Sequence, residues 1–172
     1  MKLLGFKGTG KGLSGLVDRL IRFRLNGKYS HTEIMFEPGD GVEQYMPDGN
    51  LEPNEDGYWC ASSSGMDRMP FYSNRRANKF GGVRFKRIKP SPSKWIILDV
   101  SGKNPIAAAE IFRKYEGSCY DYKLISGYIN FLMRDTKSKT ICSEICAMAL
   151  GYKDAWRYDP CLLISAVESE LE

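Results

Sequence analysis

The sequence predicts an α+β fold in which an antiparallel sheet packs against helices. Three observations carry that expectation: helical spacing of apolar residues before residue 26, β-patterned segments through the middle of the chain, and helical segments from residue 105 onward. Between residues 12 and 25, Leu13, Leu16, Val17, Leu20, Ile21 and Phe23 recur at near-helical spacing, with Arg19, Arg22 and Arg24 off that stripe, and Asn26-Gly27 ends the segment. HTEIMFE then alternates polar and apolar residues; Pro38-Gly39-Asp40-Gly41 makes a turn and VEQYM returns, so residues 31–46 read as a β-hairpin. Residues 47–76 are rich in Gly, Pro, Asn, Asp and Ser around one strand-like stretch, YWCAS, and predict a long irregular excursion. GGVRFKRI and KWIILDV supply two further strands.

Past Asn104-Pro105, IAAAEIFRKY reads as a helix with proline in its first turn and Gly117 at its end. YDYKLISGYINFLM reads as a second helix. TICSEICAMALGY reads as a third, with Thr140 as N-cap and Gly151 as terminator, and DPCLLISAVESELE as a terminal one. The chain has 172 residues, 42% hydrophobic and 27% charged, and suits one domain over 1–172.

The opening residues lack the apolar core of a signal peptide, and no run of apolar residues is long enough to span a bilayer, so a cytoplasmic protein without a transmembrane segment is expected. Five cysteines, at 60, 119, 142, 146 and 161, fit no disulfide or zinc spacing and read as reduced thiols; no metal or cofactor is called for. The formal charge of +4 comes from stretches such as NRRANK and RFKRIK, which read as solvated faces, and no nucleic-acid partner is expected.

One thiol stands out by position. Cys142 falls in the opening turn of its helix, where free N–H groups lower a thiol pKa and can bind an oxyanion, whereas Cys146 lies a turn deeper and reads as core. His31 is the only histidine and opens a strand, a rigid mount for a general base. A third polar group must orient the ring. Glu33 shares the strand face but stands two residues along it; Glu43, on the returning strand of the expected hairpin, is preferred. Spacing alone favours a structural role for both Cys142 and His31.

YSHTEIMF, GVEQY, CYDYKLISG and TICSEICAMALG together resemble the permuted papain-like amidases of the YiiX type, relatives of the NlpC-type peptidases and of the lecithin retinol acyltransferase group. In that family the histidine strand precedes the cysteine helix, as His31 precedes Cys142 here. The likeness covers roughly residues 28–163. It implies a circularly permuted papain-like fold, with Cys142 as nucleophile, His31 as base and Glu43 as third residue. Tyr29, Ser30, Tyr120, Asp121 and Ser143 would line the site. It also implies attack on a peptide or acylated substrate through a thioester, ending in hydrolysis or in acyl transfer; an amide is the first expectation and a lipid acyl group the second.

Two readings from other classes compete. A binding module would keep the fold with an unreactive Cys142. GFKGTGK, residues 5–11, approaches a phosphate-binding P-loop, with WIILD as a strand ending in aspartate, but Gly12 replaces the Ser or Thr that holds magnesium.

Overall fold

A computed structural model describes residues 1–8, 12–70, 72, 79–121 and 139–172. In chain order the elements are β1 (Lys2–Phe6), α1 (Gly12–Leu25), β2 (His31–Met35), β3 (Tyr58–Arg68), β4 (Phe80–Ile88), β5 (Trp95–Asp99), α2 (Pro105–Tyr115), β6 (Cys119–Tyr120), β7 (Lys139–Thr140), α3 (Cys142–Ala149) and α4 (Pro160–Leu171). Five strands form one sheet in the order β4-β3-β2-β1-β5, every neighbouring pair antiparallel. The α+β class with an antiparallel sheet is therefore observed. β6 and β7 form a separate two-residue parallel pair, and β6 lies against β3 and β4.

Because strand side chains alternate, the sheet has two dissimilar faces. Leu3, Ile34, Phe36, Ala61, Val83 and Phe85 face the main core, where Ala108, Ala109 and Phe112 of α2, Ile145 and Cys146 of α3, and Leu163 and Ile164 of α4 close over them. Leu4, Met35 and Cys60 form a small second cluster, bordered by Tyr58, Ile88 and Trp95. Residues 31 and 33 alternate out of phase with Ile34, as do Leu4 and Met35.

Helices α2 and α4 start alike. Asn104 accepts hydrogen bonds from the N–H groups of Ile106 and Ala107 at 3.0 and 3.1 Å, Asp159 from those of Cys161 and Leu162 at 2.8 and 2.9 Å, and proline follows each cap. The start of α3 differs. Its N-cap is Ile141, not Thr140, which lies in β7, and no side chain caps it.

Two further expectations change, and one strand is new. VEQYM is not a strand: Glu43–Tyr45 is a 3-10 turn, and β2 pairs instead with β1 and β3. Its apolar members explain this, since Val42 and Met46 are buried at helical spacing while Glu43 and Gln44 between them are exposed. The excursion after residue 47 contains an eleven-residue strand, β3, flanked by turns. MKLLGF forms β1, a strand not among those expected from the sequence; it occupies the position between β2 and β5.

α1 also departs from its expected packing. Leu16, Leu20 and Phe23 are 52, 51 and 86% exposed, while buried Gly15 and half-buried Asp18 turn the other way and Asp18 accepts a hydrogen bond from Ser30 Oγ at 3.1 Å. The expected helix over YDYKLISGYINFLM begins at Tyr120 and Asp121, which are described; the remainder lies outside the described residues. No described helix is long and apolar enough to cross a membrane.

The P-loop reading loses its geometric basis where it can be followed. β1 runs antiparallel to both neighbours, and a Cβ at Gly5 would meet Ile96 at 2.8 Å and Ile164 at 2.9 Å, so this glycine serves close packing. WIILD is an antiparallel strand whose Asp99 accepts a hydrogen bond from the N–H of Ser101 at 2.8 Å, and Lys11 lies outside the described residues.

Candidate active site

The sheet and α3 bring His31 and Cys142 together. His31 opens β2, where its backbone is paired with Phe6 of β1, and about one fifth of its side chain remains exposed. Cys142 is the first residue of α3, which packs against β2 and β3, and the imidazole of His31 is the neighbouring group that most favours its thiolate. The N–H groups of Thr32 and Ser143 also favour the thiolate. The uncapped helix start thus leaves the Ser143 N–H, which a capping Asp or Asn could otherwise occupy, free to act on the thiol, and β2 supplies that of Thr32.

Glu33, not Glu43, is the carboxylate at the imidazole. His31 Nε2 lies 2.8 Å from Glu33 Oε1. Residues i and i+2 on a strand stand roughly 7 Å apart on one face, a gap that two long side chains close by leaning together. Glu43 sits exposed on the 3-10 turn packed near α2, outside the β ladder. It cannot serve as the cross-strand partner that the expected hairpin required.

Glu33 is itself 1% exposed and is held by Arg84 of β4 through two parallel bonds, Nη1 to Oε2 at 2.8 Å and Nη2 to Oε1 at 2.7 Å. β3 lies between these strands. Ser62 pairs with Arg84, and the same register continued toward β2 sets Ser62 beside Glu33, so a small residue lets the guanidinium lie across β3. Asp67 accepts from Arg84 Nε at 2.9 Å and from Lys86 at 3.0 Å. Charges then alternate along the row from Cys142 through His31, Glu33, Arg84 and Asp67 to Lys86.

Electrostatics follow this order. Burial disfavours the imidazolium, but the Cys142 and Glu33 anions beside it outweigh burial and raise the His31 pKa to about 10. Burial likewise opposes ionisation of Glu33, yet Arg84 and His31 bring its carboxyl down to about 2. Cys142 is lowered from the ordinary thiol value: burial works against the thiolate, and His31 with the two backbone N–H donors overcomes it. Cys146 moves the other way, raised well above a normal thiol by burial and by the nearby Cys142 and Glu33 charges.

The expected site-lining residues divide. Ser30 and Ser143 flank the pair and are buried; Ser30 Oγ is committed to Asp18, and Ser143 Oγ has no hydrogen-bond partner among the described residues. Tyr29 is half-buried, and its backbone meets Cys161 Sγ at 3.4 Å. Tyr120 and Asp121 are buried, and the Tyr120 ring lies over Gly65 of β3, where a Cβ would meet it at 2.8 Å.

Sequence reasoning missed Arg84 and Asp67. The available signal was an arginine in the apolar strand GGVRF, facing small serines in ASSSG.

A separate cavity of about 570 Å³ lies at the far end of β3 and β4, lined by Asp48, Trp59, Tyr72, Lys86 and Arg87 among others. It contains neither Cys142 nor His31, and its Asp48 is already bound by Trp59 Nε1 at 2.9 Å and Arg87 at 2.8 Å. No family model matches the chain, and no curated protein or solved structure does.

Proposed function

We propose that this chain is a cysteine-dependent hydrolase of permuted papain-like, NlpC-like architecture, cleaving a peptide or isopeptide amide through Cys142, His31 and Glu33. The observation that carries the proposal is the single imidazole that hydrogen-bonds a buried carboxylate and favours the thiolate of a helix-start cysteine. The order of histidine strand before cysteine helix supports the permuted arrangement.

In this mechanism the Cys142 thiolate attacks the carbonyl carbon, a C–S bond forms, and the carbonyl electron pair moves to oxygen. Backbone N–H groups at the start of α3 stabilise that oxyanion. As the tetrahedral intermediate collapses, the C–N bond breaks and the departing amine takes the proton from His31. A thioester remains. Water then gives a proton to His31 and attacks the acyl carbon, and loss of the C–S bond restores thiolate and imidazolium. Glu33 holds the ring in position and favours its charged form throughout.

An electrophilic acyl probe followed by mass spectrometry of the adduct tests this. The expected result is a single adduct at Cys142, formed on the order of 10²-fold more slowly in His31→Asn. Labelling spread over several cysteines, or none at Cys142, would contradict it.

A further inference from the structure

We propose that Arg84 is a positioning residue for the Cys142 chemistry, delivered across the sheet together with Asp67 to set how readily Cys142 ionises. This rests on the function proposed above and names two residues beyond its three.

The geometry is specific. Arg84 is 2% exposed and its guanidinium is committed to two carboxylates, Glu33 on one side and Asp67 on the other. A buried arginine that only neutralised Glu33 would need no second acid. Asp67 reaches it because β3 is irregular at this point: the register between β3 and β4 shifts between Ser64 and Arg68. Ser64 Oγ accepts hydrogen bonds from the N–H groups of Met66 and Asp67, at 3.3 and 3.2 Å, which fixes the irregular segment. Irregularities of this kind turn a side chain in a direction that the regular pleat does not allow. Here the turned side chain is Asp67, about one quarter exposed at the rim of the row.

The charged and titratable groups in the row are Cys142 on α3, His31 and Glu33 on β2, Asp67 on β3, and Arg84 and Lys86 on β4, with the neutral thiols of Cys146 and Cys60 behind them. Signs alternate, so each substitution has a definite direction. Loss of Arg84 removes the cation that balances Glu33 and leaves excess negative charge near Cys142, which disfavours the thiolate. Loss of Asp67 removes an anion and has the opposite effect. That effect is smaller, because Asp67 is more distant and partly solvated.

The test is the pH dependence of Cys142 alkylation by iodoacetamide, read by peptide mass spectrometry in the full chain. Cys146, 0% exposed, serves as an internal reporter that stays unmodified while the protein is folded. Relative to the wild-type inflection, Arg84→Met is expected to move it up by at least about one pH unit, Arg84→Lys by much less, and Asp67→Asn slightly down. Should Arg84→Met not fold, as Cys146 labelling would reveal, the opposite displacements of Arg84→Lys and Asp67→Asn carry the test. Shifts of the same sign in all variants, or none, overturn the proposal and leave the Cys142 assignment standing. An ordinary-thiol inflection in the wild type instead removes the function on which it rests.

Discussion

Cys142 and Cys146 stand one helical turn apart on α3 and are 3 and 0% exposed, yet their pKa values shift in opposite directions, Cys142 down and Cys146 up. Burial penalises both thiolates. At Cys142 the imidazole of His31 and the N–H groups of Thr32 and Ser143 reverse the penalty. At Cys146 only the Thr32 and Ser62 hydroxyls assist, against two nearby anions, and burial prevails. Neither the helix nor its burial separates the two thiols. An uncapped first turn aimed at a histidine does.

The largest effect that sharpens this contrast is expected from Cys142→Ala, which should abolish acyl-probe labelling altogether, while Cys146→Ala leaves labelling unchanged and lowers stability by about 1 kcal/mol in urea unfolding, for a buried group of this size. His31→Asn should slow labelling of Cys142 on the order of 10²-fold, the low end of what a general base contributes, and move its rate inflection toward that of an unassisted thiol. If His31→Asn left Cys142 as fast as before, the imidazole would not be the source of the difference.

Glu33→Gln and Glu43→Gln make a second pair. The first should slow labelling roughly 10-fold, because a neutral amide no longer favours the imidazolium, and the second should change nothing. A third pair concerns stability. Arg84→Met leaves Glu33 buried without its cation and should cost about 3–5 kcal/mol. Arg84→Lys, which keeps the charge, should cost less.

The periodic parts of this fold were legible in sequence. α2 and α4 carry Asn-Pro and Asp-Pro starts, and β4 and β5 carry clear strand composition between prolines. The proximity of the proposed nucleophile and base was also legible, since Cys142 opens a helix and His31 has no competitor. The third residue was not. Glu43 was favoured by a hairpin that never forms: Val42 and Met46 bury at helical spacing, and the strand returning to β2 is β3, more than 20 residues along the chain. Glu33 was set aside on strand spacing, which describes Cα atoms and ignores the reach of side chains. Arg84 was hidden for a different reason, because its contact with Glu33 spans an intervening strand and depends on Ser62 being small. Non-local register of that kind leaves no periodic mark.

The most direct measurement is the alkylation rate of Cys142 against pH in the native wild-type chain, with Cys146 followed in the same digest. The account predicts a Cys142 inflection clearly below the ordinary thiol value of about 8.5, with Cys146 unmodified across the range. Equal, slow rates at the two thiols, each rising only near or above that value, would contradict it.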